Sequence, residues 1–443
     1  MFSNKDLRKL IIPLVIEQLL AVTIGMADTV MVSSCGEAAV SGISLVDSIN
    51  FLLITLFSSL ATGGAVIASQ YIGRGDHKSA SLAAKQLFYA SLALSAVLGI
   101  IAVFFRKPVL NMVFGSIEAD VMAHAQIYFL LSAISYPFLA VYNAGAALFR
   151  SMGDSRTTML ISILMNTINI VGNAILIYGF QMAAAGAATA SLVSRAVGAI
   201  IITVLLLNPH RIIFYDKLHK PEIHLSMLKS ILQIGVPNGR ENSIFQIGKI
   251  LVASIVSGFG TISITANAVA GNLASLQVIP GMALGMAMIT VVGQCIGAKD
   301  YEAVKKYTKK LMLITYGVVW AMTLLMLLFS KQILSFYSLS EETTTMTMEV
   351  FIVHGICAVI VWPLAFALPN ALRAANDVRF TMIVSLLSMW IFRIGFSYIL
   401  AIYFNMGILG TWIAMCIDWF CRGACFVIRF ARGKWKNISF IDN

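Results

Sequence analysis

The chain has 443 residues, of which 59% are hydrophobic and only 12% are charged, whereas soluble domains carry about 25% charged residues. With a mean hydropathy of +0.87, this composition excludes a soluble enzyme and predicts a polytopic membrane protein. The net charge of +11 is compatible with nucleic acid or with anionic lipid as a partner, and the positions of the basic residues decide between them.

Twelve apolar segments follow one another along the chain. They are rich in Gly, Ala, Met and aromatic residues and lack the alternation of barrel strands, so we predict α-helices. Most are long enough to cross a bilayer of about 30 Å. The segments are 10–34, 48–72, 86–105, 124–147, 158–180, 183–207, 228–257, 268–296, 309–330, 347–371, 380–403 and 406–430. The expected fold is therefore an all-α polytopic membrane protein with twelve transmembrane helices.

Basic residues are distributed unevenly between the loops. Most lie in loops on the same side as the N-terminus, and Arg106, Lys107 and Lys331 lie in the opposite loops. The positive-inside rule then places both termini in the cytoplasm of a multi-pass protein of the cell (inner or plasma) membrane. This pattern leaves nucleic acid with almost no support and indicates membrane lipids as partners. We expect the protein to be a monomer.

The chain also repeats itself at a separation of 224 residues. Val66–Asp76 returns as Ile289–Asp300, and the same offset pairs Pro13 with Pro237 and Glu17 with Glu241. Near the fourth and tenth segments, Leu148–Arg156 matches Ala371–Arg379 at an offset of 223. These matches predict an N-terminal six-helix lobe with its cytoplasmic linker, 1–222, and a C-terminal six-helix lobe, 223–443. Six helices per half imply a pseudo-two-fold axis along the membrane normal and a central cleft that suits alternating access.

Asp28 is the strongest functional candidate among the polar residues of the apolar segments. An ionised Asp in a membrane helix costs about 2.5–3.5 kcal/mol on insertion scales, so such a residue usually has a partner or a task. Asp28 could exchange a proton or, with oxygen ligands nearby, bind Na⁺ as a metal ligand. A carboxylate that merely reaches the outer headgroups is the alternative.

Asn169 and Asn173 are four residues apart and so share one helix face. Together with Ser191 on the next helix, they could supply amide and hydroxyl groups to Asp28 as a cation-coupling site. Hydrogen-bonded helix packing is an equally good interpretation of these side chains.

The seventh segment holds an acid and a base, Glu241 and Lys249, on roughly one face. We expect Lys249 to pair with Glu241, Asp28 or Glu17, and Glu241, Lys249 and Glu17 to line a substrate cavity. Glu17 could equally make an interfacial or structural hydrogen bond.

Two further features of the segments have structural interpretations. Asp418 and Arg422 are one turn apart and predict a local ion pair with Arg393 as a possible neighbour. Pro13 and Pro237 each remove a backbone hydrogen bond and permit a bend, which could couple ion binding to cavity shape or be an ordinary packing kink.

The sequence shows no catalytic constellation. It lacks a Walker-type phosphate loop, a zinc-protease motif and a nucleophile with an adjacent base. We therefore expect a protein that is not an enzyme and has no cofactor, with H⁺ or Na⁺ as a coupling ion.

Several short motifs occur in a characteristic order across the twelve segments. Each motif alone is weak evidence for a family, but their combination is specific and covers essentially the whole chain. They are Pro13, Asp28–Thr29, Ser69–Gln70–Tyr71–Ile72–Gly73, Arg150–Ser151–Met152–Gly153–Asp154, Gly186–Ala187–Ala188 and Gln294–Cys295–Ile296–Gly297. In these motifs the chain resembles the MATE (multidrug and toxic compound extrusion) transporters of the MOP flippase superfamily.

This resemblance implies an antiporter that exports organic cations and amphiphilic drugs, xenobiotics included, in exchange for H⁺ or Na⁺. It also implies that Asp28 is the coupling carboxylate and Pro13 the bending proline, with Ser191 at a family hydroxyl position. One departure is that Asn173 stands where one branch of the family has a second acid. The alternatives are a lipid-linked precursor flippase of the same superfamily, disfavoured because the bases in the segments are scattered, and a channel or receptor.

Overall fold

The computed structural model describes residues 2–115, 118–216, 218, 220, 222–335, 337 and 339–438, which are almost entirely helical. Ten helices are long and apolar enough to cross a membrane in this described part of the chain. The two other long helices are the first of each repeat, with 30 residues (Asn4–Ser33) and 33 residues (Leu225–Ser257). At about 1.5 Å per residue, either is also long enough to span a bilayer.

The elements divide into two compact units, Phe2–Gly239 and Arg240–Asn443. The first contains α1 (Asn4–Ser33), α2 (Glu37–Arg74), α3 (His77–Phe114), α4 (Ala119–Ser151), α5 (Ser155–Asn173) with a π-helical continuation (Ala174–Gly179), and α6 (Ala183–Leu206). The helix α7 (Leu225–Ser257) crosses the division. The second unit continues with α8 (Thr261–Gly297), α9 (Tyr301–Leu328), α10 (Ser330–Ser335) and α11 (Glu341–Ile360).

The last part of the second unit contains several π-helical turns. A π turn (Pro363–Ala367) leads from α11 into α12 (Leu368–Ala374), and α13 (Val378–Ser388) continues through the π turns Met389–Gly395 and Tyr398–Tyr403. The long α14 (Gly407–Ala431) and a 3₁₀ turn (Lys434–Asn437) follow. Such turns displace the helix register and often occur at functional sites.

The N-terminal unit includes the linker and the start of α7. Gln86 on α3 donates to the Glu222 carbonyl at 2.7 Å and accepts from the His224 amide at 3.0 Å. Gly63 on α2 lies against α7, where an added Cβ would be 2.5 Å from the Ile231 carbonyl. The compact unit therefore extends beyond residue 222, the end of the lobe that the repeat predicts.

The repeated motifs adopt the same turns in both halves. Asp76 accepts from the Ser79 amide at 3.0 Å and caps α3, and Asp300 accepts from the Ala303 amide at 2.9 Å and caps α9. The residue before each cap is left-handed, with φ of 78° at Gly75 and 56° at Lys299. Glycine adopts a positive φ at little energetic cost. Lys299 adopts the same conformation although it carries a side chain, so the turn is kept in the second copy.

Candidate functional site

The four residues predicted as a cation site lie together in the N-terminal unit. Asn173 donates to Asp28 Oδ1 at 2.5 Å and to Asn169 Oδ1 at 3.4 Å. Asn169 in turn donates to Ser191 Oγ at 3.1 Å. Thus α1, α5 and α6 contribute to one continuous polar chain, because the four-residue spacing on α5 places both amides on the face toward Asp28.

The site is partly buried and rich in oxygen atoms. Asn169 and Asn173 are buried and Asp28 is half-buried. The Asn173 Oδ1 atom has no hydrogen-bond partner among the residues that the structure describes. Carboxylate, amide and hydroxyl oxygens are ligands that suit a hard cation, and the carboxylate alone can hold a proton. The arrangement can thus accept either H⁺ or Na⁺.

A second polar network, which the sequence analysis missed, lies in the same unit. Asp47 on α2 accepts from Tyr128 at 3.0 Å and from Asn50 at 3.2 Å. Arg195 on α6 donates to Ser135 Oγ on α4 at 2.7 Å in the same unit. Asp47 precedes the second apolar segment, but α2 begins at Glu37 and therefore carries this acid into the packed bundle.

Glu17 and Glu241 form equivalent ion pairs in the two halves. Glu17 binds Arg150 at 3.2 Å, and Glu241 binds Arg373 at 2.8 Å. Both acids are buried, and Glu17 also accepts from Thr158 at 2.8 Å. The charge of each carboxylate is thus paired with a guanidinium group, while the Glu241 Oε2 atom has no hydrogen-bond partner among the described residues. A place for these acids in a substrate cavity stays a prediction.

One prediction needs correction here. Lys249 does not pair with Glu241, which binds Arg373 instead. The Lys249 side chain is exposed and its ammonium lies 5.4 Å from the centre of the Phe245 ring. Arg150 and Arg373 lie in the last turns of α4 and α12, and their guanidinium groups reach the buried acids of the first helix of each repeat.

The acids of the same repeated motif also bind arginines. Asp154 accepts from Arg211 at 3.3 Å, and Asp377 accepts from Arg429 at 2.6 Å and 3.0 Å. In each half, then, the repeated motif makes two ion pairs. Its arginine binds an acid on the first helix of that half, and its aspartate binds an arginine at or beyond the end of the last long helix of that half. The repeated motif therefore links its own helix by ion pairs to the first helix and to the C-terminal end of the last long helix of the same half.

The remaining predicted residues lie within long helices. Pro13 is inside α1 and Pro237 is inside α7, both of which continue through the proline, so a role in bending stays a prediction. The ion pair of Asp418 with Arg422 is confirmed at 3.3 Å, and Arg393 is its neighbour at 3.8 Å.

Comparisons with known proteins agree with the resemblance. The MatE family model matches residues 13–175 and again 237–399, which is the separation at which the sequence repeats. A Bacillus subtilis protein, the uncharacterized transporter YisQ, is 28% identical over 96% of this chain and 93% of its own length. The probable multidrug resistance protein NorM of Thermotoga maritima is 26% identical over 98% of this chain and 93% of its own length.

Solved structures share the fold. The outward-facing conformation of a multidrug resistance MATE family transporter of the MOP superfamily matches with a TM-score of 0.89, at 20% identity over 98% of this chain and 97% of that one. MATE in its bent conformation matches with a TM-score of 0.88, at 20% identity over 97% of this chain and 94% of that one. The twelve-helix, two-bundle prediction is confirmed.

Proposed function

The chain belongs to the MatE family of membrane transporters, and from this premise we propose that it is a secondary active antiporter exporting organic cations and amphiphilic drugs in exchange for H⁺ or Na⁺. The relatives known as probable multidrug resistance proteins support drug export over transport of a lipid-linked precursor. The protein is multi-pass, and we propose that it lies in the cell membrane with both termini cytoplasmic.

The observation that carries the coupling role is the polar chain from Asp28 to Ser191. In it, the half-buried Asp28 carboxylate accepts from the Asn173 amide at 2.5 Å, beside an amide oxygen that has no hydrogen-bond partner within the described ranges. An intramembrane acid of this kind is energetically tolerable when an ion binds to it during the working cycle. We propose that the protein alternates between two states. One state favours binding of the ion from outside, and the other favours binding of the drug from inside.

Asp28→Asn tests this role because it keeps the shape of the side chain and removes its charge. Ethidium efflux from proteoliposomes would be compared between the wild type and the variant at equal protein content. We expect export to fall to the rate of empty liposomes. Asp120→Asn, at an exposed acid in the first turn of α4, is the matched control. Undiminished export by Asp28→Asn would remove Asp28 from the mechanism.

The coupling ion is tested by imposing pH and Na⁺ gradients separately in the same proteoliposomes. A proton-coupled protein exports ethidium with an inward H⁺ gradient at zero Na⁺, whereas a sodium-coupled one needs the Na⁺ gradient. Export that needs neither gradient would contradict antiport.

A further inference from the structure

Three basic side chains of the C-terminal unit surround one aromatic ring. The Lys249 ammonium and the guanidinium carbons of Arg393 and Arg422 each lie 5.4 Å from the centre of the Phe245 ring. In sequence these bases look scattered, because they belong to α7, to a π turn after α13 and to α14. The fold gathers them into one group, here named the basic cluster: Lys249, Arg393 and Arg422.

The basic cluster has more positive than negative charge. Asp418 is shared by Arg422 at 3.3 Å and Arg393 at 3.8 Å, and it also accepts from Ser388. Among the described residues, Lys249 takes part in no ion pair. One carboxylate thus faces three cations, and excess charge in a membrane-embedded site is costly unless it is paired.

Hydrogen-bonding groups of the cluster are left without partners. The Nε atoms of Arg393 and Arg422 are buried and have no hydrogen-bond partner in the part of the chain that the structure describes, and the two residues are only 9% and 2% exposed. Buried donors normally have a partner, so orphaned ones call for an explanation such as a missing ligand. Lys249, by contrast, is exposed.

Aromatic rings continue from the cluster into the unit. Phe366 packs edge-on against Phe245 at 6.3 Å and against Trp419 at 5.4 Å, and it stacks on Trp362 at 5.4 Å. Guanidinium groups recognise a carboxylate, and aromatic side chains beside them provide the apolar surroundings that suit the body of an aromatic molecule.

From this geometry we propose that the basic cluster binds the carboxylate of an aromatic amphiphile in the C-terminal unit. The substrates of this protein then include molecules bearing an anionic group, in addition to cations. That such molecules are exported rests on the proposed function. That the basic cluster binds a carboxylate does not depend on it. Asp418 beside the site disfavours a multiply charged anion by repulsion.

Titration calorimetry on the purified, detergent-solubilised protein tests the binding site directly. The probes are naphthalene-2-carboxylate and naphthalene-2-carboxamide, which share one aromatic body and differ in charge. We expect the carboxylate to bind about tenfold more tightly, since a hydrogen bond to a charged group is stronger than one between neutral groups. Lys249→Gln should abolish most of this preference, and Lys249→Arg should keep it.

The matched control is Lys306→Gln, at another exposed lysine of the same unit without an ion pair among the described residues; it should leave the preference unchanged. Wild-type protein that binds neither probe, or both equally, would overturn the proposal. So would equal weakening of both probes by Lys249→Gln, or tighter binding of geranyl diphosphate than of the carboxylate.

Transport is measured separately in proteoliposomes. Export of ethidium without any carboxylate preference in calorimetry overturns the basic cluster as a site and leaves the proposed function standing. Carboxylate binding without export of either probe or of ethidium overturns the proposed function and supports the site.

Discussion

The repeated ion pairs predict a measurable and unequal loss of stability when their acids are neutralised. The Arg373–Glu241 pair is the shorter, at 2.8 Å, and its side chains are only 12% and 8% exposed. At an effective dielectric constant of about 20, the gross Coulomb attraction at this distance is about 6 kcal/mol. Desolvation offsets much of it, yet removing one partner of a buried pair costs about 3–5 kcal/mol because the other charge stays buried.

We therefore expect Glu241→Gln to lower the free energy of unfolding by about 3 kcal/mol. Glu17→Gln should cost less, about 2 kcal/mol, since the Arg150–Glu17 distance is 3.2 Å and Arg150 is 18% exposed. The new amide can also keep the hydrogen bond from Thr158, which lies 2.8 Å from Glu17.

SDS-induced unfolding, followed by tryptophan fluorescence, would measure the loss of unfolding free energy in Glu241→Gln and in Glu17→Gln. The double variant Glu241→Gln/Arg373→Gln, compared with its two single variants, completes a double-mutant cycle. In a real pair, the double variant costs less than the sum of the single ones. Additive losses, or a loss below about 0.5 kcal/mol for Glu241→Gln, would refute the reasoning, because surface pairs alone are worth that little.

Two other predictions concern helix ends and helix packing. Asp76→Ala should cost about 1 kcal/mol by removing the cap of α3. The hydrogen bonds from Ser79 hold the pKa of Asp76 below its ordinary value, so this stabilisation is present above the carboxyl's unfolded pKa and disappears as the pH falls through its folded pKa; a pH-independent difference in unfolding between the wild type and the variant would contradict it. Gly63→Ala should destabilise by about 1–3 kcal/mol, since its Cβ would lie 2.5 Å from the Ile231 carbonyl, whereas Gly271→Ala, with nothing within 4 Å, should be neutral or slightly stabilising. Equal thermal unfolding midpoints for the two glycine variants would count against this packing.

The proximity of the four candidate cation-site residues could be predicted from the sequence, whereas their role as a cation site stays a prediction. Asp28 is conspicuous because the apolar residues around it give a carboxylate no local partner, and Asn169 and Asn173 share a face by their spacing. Asp47 was missed since it lies outside the apolar run, although α2 starts at Glu37 and includes it. Hydropathy shows where a segment is apolar, but a helix can extend well beyond its apolar segment, as α2 does at its N-terminal end.

The sequence by itself determined the helical fold, the number of spans and the duplication, because these depend on local composition and on spacing along one chain. Only the tertiary structure decided which charges meet. Arg373 binds Glu241 across 132 residues, and Lys249, Arg393 and Arg422 surround one ring from three separate elements. Such contacts depend on how each helix is rotated and placed against its neighbours, and helical periodicity specifies the face of a residue without specifying what that face will touch.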